Sequence, residues 1–197
     1  MGGTFDPIHF GHLAAAEQVR VGFDLDRVIF IPSGHPPHKQ GKQITPGIHR
    51  YVMAVLATID HPRFEVSTIE LDRPGLSYSV DTIGLLKSQL PEGSEIFFIT
   101  GADAIVEICS WKDADRLLRL CRFVAVTRPG YSTGSLQEIR ERFGEAGSRI
   151  HPYQITDLAI SSSEIRERVR LGKPIRYLVP ATVEHYIEKH HLYTKVQ

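Results

Sequence analysis

The chain has 197 residues, and 23 Lys and Arg balance 23 Asp and Glu, so its formal net charge is zero. That length suits one domain with a sizeable core, and the charge balance excludes a broad electrostatic surface for nucleic acid while leaving room for a local anion site. Apolar content of 42% is that of a globular protein, and with no spanning-length apolar run, secretory signal or lipidation motif, the expectation is a cytoplasmic protein without a membrane partner.

The chain opens with Gly2-Gly3-Thr4-Phe5-Asp6-Pro7-Ile8-His9-Phe10-Gly11-His12, followed by a helical run from about His12. Two glycines let the backbone turn tightly and approach a ligand closely. Thr4 can donate to a phosphate, and the free N–H groups of a helix start form an anion site. His9 and His12 lie three apart, so both can face the same anion as donors or, as imidazolium, as charges. Read alone, the segment is equally a glycine turn with two surface histidines. A metal site is not expected, because no third ligand is near.

Further along, short β-branched runs alternate with helical patterns, the sign of a mostly parallel α/β sheet. Strands are expected over 27–32, 63–71, 95–100, 122–127 and 149–153. The clearest helix covers 48–59, where Ile48, Tyr51, Val52, Val55, Leu56 and Ile59 make one apolar stripe. Other helices are expected to begin near Ser79, Ala102, Ser135, Ser162 and Pro180. Cys109 and Cys121 sit in apolar stretches and read as small core residues rather than a disulfide or metal framework.

Loops at strand ends are where such a sheet places its chemistry. Pro36-Pro37-His38-Lys39 lies in the first long loop and is, alone, a solvated basic turn. Arg128-Pro129-Gly130-Tyr131 is, alone, a turn with one exposed arginine. Ser161-Ser162-Ser163-Glu164-Ile165-Arg166 starts a helix, with Ser162 or Ser163 as its cap. Serine hydroxyls and amides there can bind phosphate, and an arginine one turn in can clamp it.

Residues 2–12 resemble the signature Gly-Gly-x-Phe-Asp-Pro-x-His-x-Gly-His of bacterial nicotinate-nucleotide adenylyltransferases. Residues 160–166 resemble that family's second motif, Ile-Ser-Ser/Ala-Thr/Ser-x-Ile-Arg, in the same order and separation. The segments around Lys39, Ser77-Tyr78-Ser79-Val80-Asp81-Thr82, Gly101-Ala102-Asp103 with Trp111-Lys112, and Arg128 are similar to weaker family motifs. Ser79 stands where the family usually has Thr.

The resemblance implies a Rossmann-like parallel sheet with helices on both faces, of nucleotidyltransferase type. It implies adenylyl transfer from ATP to nicotinate mononucleotide, with His9, His12, Lys39 and Arg166 as catalytic residues. ATP is then expected at Gly2, Gly3, Thr4, Phe5, His12, Gly101, Asp103, Arg128, Ser161, Ser162, Ser163 and Arg166. The acceptor is expected at Thr4, Lys39, Ser79, Thr82, Trp111 and Lys112. Mg²⁺ is expected with the ATP phosphates rather than in a protein cage. A homo-oligomer is compatible with all of this. The rival readings are a relative using nicotinamide mononucleotide, phosphopantetheine or a cytidylyl-transfer substrate, and a non-catalytic nucleotide-binding module. The second would be expected to lack a motif histidine or Arg166.

In the implied fold the Gly-Gly turn closes a first, central strand, yet only Met1 precedes Gly2. That strand is therefore expected to be missing upstream, with a gap between strands 27–32 and 95–100.

Overall fold

The computed structural model describes residues 1–37, 41, 44–132, 134–156 and 158–194. In chain order it has β1 (Gly2–Gly3), α1 (Phe10–Gly22), β2 (Val28–Pro32), α2 (Gly47–Thr58), β3 (Phe64–Val66), α3 (Ser79–Gln89) and β4 (Phe97–Gly101). There follow α4 (Ala102–Val106), a 3₁₀ turn (Ile108–Ser110), α5 (Ala114–Leu120), β5 (Arg122–Thr127), α6 (Gly134–Arg142), α7 (Gly144–Gly147), β6 (Ile150–Gln154), α8 (Ser162–Arg170) and α9 (Ala181–Lys189). Every ladder is parallel, in two groups ordered β1-β2-β3 and β4-β5-β6.

Side chains alternate across a strand, and β5 shows what that does here. Phe123 and Ala125 enter one core with Val80 and Ile83 of α3, Leu117 of α5 and Leu136 of α6. Val124 enters the other, with Val19 of α1, Met53 of α2, Ile165 of α8 and Val183 of α9. The sheet is therefore covered by helices on both faces, as the α/β pattern implies.

Three expectations change. The strand over 63–71 stops at Val66, because Thr68 donates to Asp72 Oδ2 at 2.6 Å and the Leu71 amide turns back to the Thr68 carbonyl. Local side-chain bonds of this kind compete with a ladder. In α2 the buried face is Arg50, Met53, Ala54 and Ala57, while Ile48 and Ile59 are 62% and 71% exposed. Cys109 is exposed; Cys121 is buried, and both are free thiols.

β2 and β4 do not pair with each other. The two residues of β1 stand between their upper ends, with Gly2 against the Phe98 ring. Below β1 a cavity of about 340 Å³ separates them, lined by Met1, Phe23, Val28, Ile83, Phe97 and Ile99 among others.

Candidate active site

Parallel strands put their carboxyl ends on one rim, and four of them lead into the sequence motifs. β1 ends at Gly3, β2 at Pro32, β4 at Gly101 and β5 at Thr127. Phe5 is buried at a positive φ of 50° and turns the chain back, so that α1 starts at Phe10, two residues earlier than its sequence pattern indicates. His9 is the cap residue of that helix. Gly11 lies close under the ring of His9: a Cβ there would sit 3.0 Å from His9 Nδ1 and press on it.

The two motif histidines stack, with ring centroids 3.7 Å apart. The backbone N–H of His9 donates to His12 Nδ1 at 3.3 Å. The His12 proton therefore belongs on Nε2, which is left as a donor. Burial pulls His12 down to about pKa 3, helped by neighbouring His9. Burial pulls His9 down to about 4, helped by the Arg128 guanidinium. Burial thus favours the neutral form of both rings, in which they serve as hydrogen-bond donors. His9 Nδ1 is buried without a hydrogen-bond partner in the protein, a polar atom available to a ligand. The anion site at the helix start is smaller than the sequence implies: the Phe10 amide is used by the Leu178 carbonyl.

The second motif docks directly on the first. Arg166 Nη1 donates to the Asp6 carbonyl at 2.6 Å, and Ser162 Oγ donates to the Pro7 carbonyl at 2.8 Å. Helix α8 is capped by Ser161, whose oxygen accepts the Glu164 amide at 3.1 Å, not by Ser162 or Ser163. Ser163 Oγ accepts from Arg166 Nη2 at 3.3 Å. The serines thus divide their work: Ser162 locks the two motifs together, while the Ser161 hydroxyl, accepting at its oxygen, keeps its proton to donate.

Arg128, at the end of β5, is close enough to perturb His9 and so belongs to this rim. Gly101 closes β4, and Asp103 follows in the exposed first turn of α4. Lys39 lies outside the described residues. The acceptor segments come together through Lys112, whose Nζ is 3.1 Å from Asp81 Oδ2 and 4.6 Å from the Tyr78 ring centre. Lys112 is thereby paired with Asp81 at the surface rather than a lone cation. Trp111 packs on Phe98 and Phe123, ring centroids 6.1 and 6.4 Å away. Ser79 opens α3 and is half-buried. Thr82 is buried, and its hydroxyl donates to Glu70 Oε1 at 2.8 Å while accepting from Arg73 Nη2 at 3.1 Å. Its hydroxyl is thereby occupied within the protein.

The sequence patterns did not single out Arg50, Glu70 or Tyr193, and they held Asp6 only as a motif letter. Yet Asp6, Arg50 and Glu70 are buried, and each bonds into the loops of the rim. An arginine on the inner face of an otherwise apolar helix was the one available signal.

Residues 1–168 match the family model described as cytidylyltransferase-like. A protein of Thermoanaerobacter sp. (strain X514) named "probable nicotinate-nucleotide adenylyltransferase" is 53% identical, over 99% of this chain and 93% of its own length. A protein of Moorella thermoacetica with the same name is 52% identical, over 98% of this chain and 89% of its own length. The solved structure of Plasmodium falciparum nicotinic acid mononucleotide adenylyltransferase complexed with NaAD is similar with a TM-score of 0.77 at 21% identity, covering 98% of this chain and 94% of that one. That likeness carries the fold, and the half-identical relatives, matched over almost their whole length, carry the family. The two docked motifs, the neutral histidine stack and these likenesses agree that the chain belongs to the nicotinate-nucleotide adenylyltransferase family of cytidylyltransferase-like nucleotidyltransferases.

Proposed function

We propose that this chain transfers the adenylyl group of ATP to the phosphate of nicotinate mononucleotide, giving deamido-NAD and pyrophosphate. The observation that carries the reading is the docking of Arg166 and Ser162 on the carbonyls of Asp6 and Pro7. It joins the helix that carries the arginine of one motif to the loop that leads into the histidines of the other, on the rim where parallel strands end. The name borne by the half-identical relatives supports the same substrates.

The nucleophile is a phosphate oxygen that is already ionised at neutral pH. Its bond to the α-phosphorus forms as the bond to the β-phosphate oxygen breaks, and the electron pair leaves with pyrophosphate. No proton has to move, so no general base is needed. The protein's task is alignment and stabilisation of charge on the transferring and leaving groups. His12 serves through Nε2–H and His9 through its ring nitrogens. Arg166 and Lys39 supply formal charge, and Thr4, Ser161 and the Gly2–Gly3 backbone line the path of the triphosphate.

The residues fit a Mg²⁺ brought by the nucleotide. Among the described residues no cluster of three His, Cys, Asp or Glu could hold one alone. Asp103, exposed beyond β4, is the carboxylate able to meet it through water. The ion would neutralise phosphate charge. No helix among the described residues is long and apolar enough to cross a membrane. Free thiols and ATP as substrate suit the cytoplasm.

Pyrophosphate release with ATP and each acceptor tests the assignment. Nicotinate mononucleotide is expected to exceed nicotinamide mononucleotide in kcat/KM by more than about tenfold, because amide donors that bind a carboxylate meet a like donor in the amide. Equal use of both, or preference for phosphopantetheine, would assign a different acceptor. No release with any of them would leave a binding module.

A further inference from the structure

Asp6 is buried in the middle of the first motif and makes four recorded contacts of different origin. Its Oδ1 accepts the Tyr193 hydroxyl at 2.7 Å, from 187 residues away. Its Oδ2 accepts the Thr45 amide at 3.2 Å. Its carbonyl accepts Arg166, and its field acts on Arg50. Arg50 is only 2% exposed and bridges two carbonyls, Thr45 through Nε and Thr4 through Nη1, both at 2.8 Å. Thr45 is therefore gripped at its amide by Asp6 and at its carbonyl by Arg50. It stands six residues after Lys39, at the end of the same loop. Burial and the Asp6 charge hold the Tyr193 pKa well above its ordinary value, so its O–H remains a donor at every working pH.

We infer that Tyr193 and Arg50 are positioning residues for the transfer. Together they fasten the turn Thr4–Asp6 and the chain at Thr45 into one seat, with Asp6 accepting from Tyr193 and from the Thr45 amide. This rests on the adenylyl-transfer reading. Both side chains spend their polar atoms on the protein itself. They act by removing relative motion between the Thr4–Asp6 turn and the chain at Thr45, and a displacement of that kind costs turnover rather than ground-state binding.

The test begins with wild-type turnover on ATP and nicotinate mononucleotide. Tyr193→Phe keeps the ring and loses one donor. It is expected to lower kcat by about fivefold or more while KM for nicotinate mononucleotide stays within about twofold. In a cycle with Asp6→Ala, the double variant should lose clearly less than the sum of the two single losses, because both changes open the Tyr193–Asp6 link. Arg50→Lys keeps the charge but cannot bridge two carbonyls, and a loss of kcat is expected there too. If Arg50→Lys does not fold, Tyr193→Phe and the cycle decide alone. An unchanged kcat in Tyr193→Phe, an additive cycle, or a kcat recovered simply by assaying at lower temperature overturns the inference with the reaction intact. A wild type without turnover on any acceptor overturns the reading and this inference with it.

Discussion

Stacked imidazoles 3.7 Å apart resist carrying charge, and here His9 is buried and His12 half-buried as well. The consequence for stability has a definite sign. Their folded values, about 4 for His9 and about 3 for His12, lie below the ordinary 6.5. The unfolded chain therefore binds the extra protons, and stability is full above about pH 6.5 and lost as the pH falls toward the folded values. Each ring contributes a slope of about 1.4 kcal/mol per pH unit in that window. His12→Ala should accordingly show a smaller difference between urea midpoints at pH 7 and pH 5 than wild type. The same variant should lose more than about tenfold in pyrophosphate release at pH 7, since a preorganised donor is gone. Near-normal turnover would remove His12 from the chemistry, and an unchanged acid slope would contradict its neutrality. His9, His12 and Arg166 were legible because they stand in contiguous motifs. Their protonation was not, because it depends on burial and on Arg128, which reaches the rim only through the fold. Tyr193 was illegible for the same reason: its partner is 187 residues away.

Helix α2 shows what can be read at the level of an element. Its existence and length follow from a helical period in apolar residues, and it forms within one residue of the expected span. Its inward face does not follow, because Tyr51, Val52, Val55 and Leu56 compete with Met53, Ala54 and Ala57. The tertiary fold decides: Arg50 must reach Thr4 and Thr45, and α9 docks alongside through Thr182 Oγ1 on the Leu56 carbonyl. That rotation brings Met53 to zero exposure and leaves Ile48 and Ile59 in solvent. Met53→Ala should therefore cost about 2–5 kcal/mol in denaturant unfolding. Ile59→Lys should stay within about 0.5 kcal/mol of wild type. The reverse order would mean that the stripe read from the sequence is the buried one. Caps behave similarly. Any of three consecutive serines could have capped α8, and Ser161 does so because Ser162 is drawn to the Pro7 carbonyl.

At the scale of the molecule the parallel strands and their two helical layers were legible from the alternation of elements, whereas the break between β2 and β4 is a property of the assembled sheet. There the upper ends are bridged by β1, and a cavity of about 340 Å³ lies below it. The Met1 nitrogen stands at the head of that cavity and donates to the Ile29 carbonyl at 2.7 Å. The walls of the slot are β2 and β4, with Phe23, Val28, Ile83, Phe97 and Ile99 beside the polar residues Asp24, Arg27 and Glu95. An apolar segment of about five residues placed ahead of Met1, enough for one short strand, would run between β2 and β4 in the register that β1 already sets. It would supply ladder partners to both neighbours and bury side chains at about 1.5–3 kcal/mol each. Such an extension is expected to raise the melting temperature substantially, as thermal unfolding of the two forms measures. An extension of Ser and Gly of the same length cannot fill the slot with side chains and should give a smaller gain in melting temperature. If the apolar extension melts no higher than the Ser-Gly one, the slot does not accept a strand.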